Sequence, residues 1–254
     1  MKNKYVNFIS DDHLLTCVAN LHKAYLKAKN NLSKKNFYSN KVDTIKLTFD
    51  AKFNAISEEN LIEAEILRQI DKSINNSIGT FHEQILGGIK GFEVGKLSGF
   101  DIKAEDDKLF ADIKNKHNTM NSSSAESLFQ KLKGYADNYK KSKCYWVQIL
   151  AKSSFNELWT ADINGKEYSH SRVYKVSGDK FYALLSGQED ALFQLYKELP
   201  KAINDYLSSI DQNKKTAKNS ALGEIKQEIK TTKRSILDQI TFENYSYYLG
   251  FDKL

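Results

Sequence analysis

A chain of 254 residues with 41% apolar and 12% aromatic residues has enough material for a buried core, which excludes an unfolded chain. Its apolar runs are only a few residues long, against the about 20 a membrane-spanning helix needs. The opening MKNKYVNFISDDHLL holds no apolar block of signal-peptide length.

Net charge is +6, and its distribution says more than its size. Lys131 to Lys143 carries five lysines against Asp137, and Lys214 to Arg234 carries seven basic residues against two glutamates. The rest of the chain is net acidic, so the basic charge is clustered, as a polyanion such as nucleic acid would favour. Two solvated helix faces would give the same pattern. Cys17 and Cys144 are far apart and lack metal spacing, so they read as buried free thiols of a reducing compartment. A cytoplasmic protein with no membrane association is expected.

In chain order, DDHLLTCVANLHKAYLKAK places Leu14, Val18, Leu21, Tyr25 and Ala28 at helical spacing, with Asp11 and Asp12 at the cap. A second helix is expected from Ser57, and a shorter one over TFHEQILGGIKG, ended by Gly87 and Gly88. In that shorter helix Thr80 and Glu83 have the spacing of a capping box. The period then changes. GFDIK and KLFADIK alternate as half-buried strands around an AEDD turn, and AESLFQKLKGYADNY returns to helix with Ser124 as cap. CYWVQILA reads as a central strand, and ELWTADI, RVYKV and KFYALL as further strands separated by NGKE and SGDK turns. Helices follow over EDALFQLYKELPKAINDYLSSI, with a kink or a fresh start at Pro200, and over Ala217 to Ile240. The order predicts an α/β (α+β) protein with a mixed central sheet and helical additions at both ends. No linker stands out, so one domain is expected: a helical part over 1–79, a core over 80–200 and a helical end over 201–254.

The hairpin can carry chemistry. With the turn centred on Glu105 and Asp106, Lys103 faces Lys108 and Asp101 faces Phe110. Asp112 then lies diagonally from Asp101 on the same face, about 7–8 Å away. Lys114 is one step further along it. Two such carboxylates can share a hard cation, Mg2+ being held by one or two carboxylates plus substrate phosphate. A lysine beside them can orient water and stabilise the transition state. Taken alone, Asp-x-Lys occurs by chance in any charged strand, and most instances are merely the solvent face.

The polar run after Lys114 adds a family resemblance. ADIKNKHNTMNSSSA closely resembles the hallmark segment of type II restriction endonucleases of the PD-(D/E)XK superfamily, in the branch cutting GGNCC- or GGWCC-type sites. FHEQILGGIKGF, GFDI and VYKVSGDKFYALLSG fit the same pattern, so the resemblance covers roughly residues 80 to 200. It implies a PD-(D/E)XK nuclease core with Asp101 and Asp112 as metal-binding carboxylates and Lys114 as the catalytic lysine. Phe100 stands where the nominal proline would be, and Asp112 where relatives often carry Glu. Glu83 is a further candidate ligand, with the capping box as its other reading. Asn115, Lys116, His117, Asn118, Thr119 and Asn121 would lie along the scissile strand of the DNA, and Arg172 is a candidate base contact. His117 and Asn118 do not make an HNH motif, since the next histidine is His170.

The expectation is therefore Mg2+-dependent, sequence-specific hydrolysis of double-stranded DNA at a short palindromic GGNCC-like site, leaving 5′-phosphate ends. The resemblance further implies a homodimer and a methyltransferase that protects the same site. A repair or structure-specific nuclease with the same core, or a non-catalytic DNA-binding module, are the alternatives.

Overall fold

The structure, a computed structural model, describes residues 3–30, 32–95, 99–117, 120–211, 220–246 and 253. Asn118 and Thr119 lie outside the described residues. Two compact units make up the chain, one from Met1–Leu21 and Ile78–Ile210, the other from His22–Ser77 and Asp211–Leu254.

The first unit holds a six-stranded mixed sheet in the order β1-β2-β3-β4-β8-β5. Its strands are β1 (Phe92–Val94), β2 (Ile102–Ala104), β3 (Leu109–Lys116), β4 (Lys143–Leu150), β5 (Asn156–Leu158) and β8 (Val173–Ser177). β3, β4 and β8 run parallel, while β1, β2 and β5 are antiparallel to their neighbours. β4 is central, as its apolar run predicts. A separate hairpin, β6 (Ala161–Ile163) with β7 (Lys166–Tyr168), turns on Asn164 and Gly165. Both turn residues have positive φ, as a tight two-residue Asn-Gly turn requires.

Both faces of the sheet are covered. On one, Ile102, Ala111, Ile113, Tyr145, Val147 and Val176 pack with residues of α1 (Asp11–Asn30), α4 (Glu58–Gly87), α6 (Gly178–Ser186) and α7 (Ala191–Ser209). On the other, Phe110, Cys144 and Val173 pack with Leu128, Phe129, Leu132 and Ala136 of α5 (Ser122–Asn138) and with Trp159 and Tyr168. Both cysteines are free and buried.

The second unit contains α2 (Lys34–Ser39), α3 (Thr44–Asn54), α8 (Ala221–Thr232) and α9 (Ile236–Tyr245). Phe37, Leu47, Ile62, Ile66, Ile225 and Ile240 share its core. Fully buried Asn244 accepts from the Val42 amide at 3.2 Å and donates to the Val42 carbonyl at 3.1 Å, pinning α9 to the loop before α3. The unit boundary falls inside α1 and α4, where composition shows no break.

Several local expectations change. The helix expected from Ser57 and the one expected at Thr80 are one helix of 30 residues, α4, so Thr80 caps nothing and Glu83 is not part of a capping box. KFYALL lies in α6, because Phe181, Tyr182 and Leu185 bury one helical face. Gly178 opens that helix where a Cβ would stand 2.6 Å from the Ile149 carbonyl oxygen, so the chain comes too close for a side chain. The cap of α5 is Asn121, whose side chain accepts from the Ser124 amide at 2.9 Å, and not Ser124. Pro200 sits within α7 without ending it.

Candidate active site

The β2–β3 hairpin has a register two residues away from the expected one. Ile102 pairs with Ala111 and Lys103 with Phe110, because a four-residue loop, Glu105–Lys108, joins the strands. Asp107 takes a left-handed conformation in that loop, and its amide donates to the Ala104 carbonyl at 3.0 Å. A shift of two preserves each side chain's face. At its mouth the hairpin bulges: Ile102 pairs with Ala111 and the Asp101 amide donates to the same Ala111 carbonyl, which sets Asp101 beside the Asp112 end of β3. The face itself is not solvated: Phe110, 1% exposed, anchors the core beneath α5. β3 therefore leaves that core at Asp112 and ends in the polar Lys114, Asn115 and Lys116.

Asp112 is 7% exposed, yet its carboxylate is surrounded by charge. Lys114 Nζ lies 2.5 Å from Oδ1, and Lys131 Nζ, reaching over from α5, lies 3.0 Å from Oδ2. The Lys114 contact is an ion pair without hydrogen-bond alignment, so Oδ1 is a buried oxygen with no hydrogen bond of its own. Asp101 accepts the Ile113 amide on Oδ2 at 2.5 Å, and its own amide donates to the Ala111 carbonyl at 3.0 Å. Those two bonds fix it at the mouth of the hairpin. Burial raises the Asp101 carboxyl above the usual carboxylate range; the Ile113 amide opposes this, and the Asp112 charge adds to it.

Glu83 joins them from the last turns of α4. Burial raises its carboxyl too, with further increments from Asp101 and Asp112, while Lys114 pulls the other way. Three acids and two lysines thus come together from the residue before β2, from β3, α4 and α5. Burial first, and the neighbouring acids second, make Asp101 and Glu83 hold protons more tightly than free carboxylates, an environment that a cation would relieve.

Two members were not legible as site residues. Lys131 reads in the sequence only as part of a basic run. Gln148, 7% exposed, stands beside Lys114 on β4. Sequence spacing could have flagged Lys131, since it follows Ser124 by seven residues and Leu128 by three on one face of α5.

The remaining candidates are placed as follows. Asn115 and Lys116 end β3, and His117 follows it, its amide donating to the Leu150 carbonyl at 3.2 Å. Asn121 caps α5 and lines the cleft beside Lys114. Arg172 lies elsewhere: its guanidinium donates to the Ala136 and Lys140 carbonyl oxygens at the C-terminal end of α5.

A mixed sheet with helices on both faces, and a Asp-x(10)-Asp-x-Lys constellation at the end of a parallel strand, define a nuclease core of PD-(D/E)XK type. Comparison with known proteins gives the family. Residues 6–208 match the Eco47II restriction endonuclease family. The chain is 40% identical over 218 residues to the type II restriction enzyme Sau96I of Staphylococcus aureus, covering 82% of this chain and 84% of that one. It is 31% identical over 216 residues to the type II restriction enzyme Eco47II of Escherichia coli, covering 80% and 88%. The chain belongs to the Eco47II restriction endonuclease family and is a type II restriction endonuclease, a site-specific deoxyribonuclease. Neither a repair nuclease nor a non-catalytic DNA-binding module describes it.

Proposed function

We propose that the chain hydrolyses double-stranded DNA with Mg2+ at a palindromic GGNCC-like site, leaving 5′-phosphate ends, with Asp101, Asp112 and Lys114 as its catalytic constellation. The observation that carries this reading is a buried Asp112 carboxylate held by Lys114, with Asp101 and Glu83 near enough for the charges of the acids to act on one another. The donor set suits a hard cation: carboxylate oxygens, mutual repulsion that a positive charge relieves, and Asp112 Oδ1 without a hydrogen bond. No cluster of three His, Cys, Asp or Glu stands ready for a metal among the described residues. Mg2+ takes few protein ligands and completes its shell with water and substrate phosphate.

Asp101 and Asp112 would hold the cation, with Glu83 facing it from α4. Bound there, it supplies Lewis-acid stabilisation of the phosphoryl oxygens. Lys114 orients the attacking water and donates to the charge that develops on the phosphate. Lys114 is held for this by Asp112 itself, so one carboxylate positions both the cation and the lysine. Asn115, Lys116, His117, Asn118, Thr119 and Asn121 follow the catalytic lysine in sequence and are assigned to the DNA strand being cut. A palindromic site is matched by a homodimer, each copy cutting one strand. A methyltransferase acting on the same site is the functional partner, and the setting is cytoplasmic.

Asp101→Ala, Asp112→Ala and Lys114→Ala should each lower single-turnover cutting of a GGNCC duplex by at least about a hundredfold, the scale of lost transition-state stabilisation. Lys114→Ala should keep its DNA affinity. Full activity in any of the three would remove that residue from the site. Sequencing the ends produced from a defined genome, with Mg2+ and with chelator, reads out the site and the metal requirement together.

A further inference from the structure

The site has a second wall that hydrolysis at Asp112 does not use. A cleft of about 550 Å3 opens beside Asp112 and Lys114, and its far side is α5, through Asn121, Ser123, Ser124, Ser127 and Lys131. Ser124, Ser127 and Lys131 recur at spacings of three and four, so they form one face of that helix. Hydroxyls, an amide and an ammonium suit the oxygens of a phosphodiester. Asp112 is the acid in this lining, and it is the group that holds Lys131.

The state of Lys131 is therefore set by Asp112. Its Nζ is 3.0 Å from Asp112 Oδ2 and 4.5 Å from the centre of the Phe100 ring, so it is parked between a carboxylate and an aromatic face. Asp112 thus holds both Lys114 and Lys131, so the ammonium of Lys131 is committed to a carboxylate and not to a phosphate. A divalent cation on the carboxylates gives the Asp112 oxygen that held Lys131 a better partner. An ammonium beside a cation on the same carboxylate is repelled towards Ser124 and Ser127.

We infer that Lys131 is a cation-released phosphate clamp: tied to Asp112 when the site lacks metal, it turns to a backbone phosphate of the DNA in the α5 cleft once a divalent cation binds. The inference rests on the metal-site reading above and adds a coupling to it. Metal raises DNA affinity through Lys131, and by reciprocity DNA raises metal affinity by the same factor.

The test is DNA affinity, not cutting. Equilibrium binding of a short GGNCC duplex is measured against salt concentration, once with Ca2+ as a hard oxygen-seeking cation and once with chelator. In wild type, Ca2+ should steepen the logarithmic salt dependence by about one, because one more phosphate is neutralised. Lys131→Ala should lose that increment and bind roughly tenfold more weakly with Ca2+, the scale of one charge-assisted contact, while matching wild type in chelator. Lys131→Arg should restore the increment. A Lys131→Ala chain that keeps the Ca2+-dependent slope overturns the inference, as does one whose slope falls equally in both conditions. Asp112→Asn separates this from failure of the site itself. If Ca2+ still strengthens binding in Asp112→Asn, the metal-site reading falls; if only Lys131→Ala is neutral, the clamp alone falls.

Discussion

His82 lies beside Glu83 on α4 and has a separate task. Its Nδ1 is 2.9 Å from the hydroxyl of fully buried Tyr182, and burial drives the ring's pKa down from 6.5 to about 4. Between those values the unfolded chain binds a proton that the folded chain refuses. Stability from this residue is therefore full above about pH 6.5 and lost as pH falls towards 4, at up to about 1.4 kcal/mol per unit. Comparing denaturant unfolding of His82→Gln with wild type from pH 7 to pH 4 should show the wild type losing up to about 3 kcal/mol more over that window. Equal slopes would mean that the ring titrates freely. Glu83 teaches the opposite lesson about legibility. Its type and position were readable, but Thr80 at the matching spacing offered a capping box, and only the continuity of α4 removed that reading.

At the scale of elements, α5 is the piece that completes the site, and Arg172 secures its far end. The helix leaves carbonyl oxygens unsatisfied at its C-terminal end, and the guanidinium takes that of Ala136 together with that of Lys140 just beyond it. Arg172→Ala should cost about 1–3 kcal/mol in thermal or denaturant unfolding, because a partly buried helix-end acceptor loses a charged donor. Lys is a poor replacement, since a single ammonium lacks the fork that reaches both carbonyls. Unchanged stability together with weaker DNA binding would instead return Arg172 to the DNA interface. The strands of the hairpin were legible because period two is local. Their register was not, because it depends on whether two or four residues turn the chain, and Asp107 adopts a left-handed conformation that its sequence does not announce. KFYALL fails for a related reason: a short apolar run suits a strand or a buried helix equally, and packing against β4 decided for α6.

For the whole molecule, the cation should act as a ligand for the folded state alone. The carboxylates proposed to bind it lie on α4, on β3 and just before β2, and no unfolded chain holds them together. A cation at a hundred times its dissociation constant adds about 2.7 kcal/mol, which for a chain of this size raises Tm by roughly 5–10 °C. Asp112→Asn should abolish the shift on adding Mg2+ to chelated protein; a shift that survives would place the cation elsewhere. The helical ends were readable in the sequence, but that they share one core was not, for a matching reason. Its core joins residues about two hundred positions apart, as in the contacts of Asn244 with Val42 and of Glu228 with Tyr38.

By itself the sequence determined the fold class and the central strand, and it singled out the three residues proposed as the catalytic signature. Each is written in local periodicity or in a contiguous motif, and neither needs a distant partner to be read. Tertiary structure decided that Asp101 and Asp112 lie within reach of each other's charge, that Glu83 meets both from α4, and that Lys131 shares the Asp112 carboxylate. Those facts depend on how loops close and helices dock, where burial and charge from other elements act on a side chain.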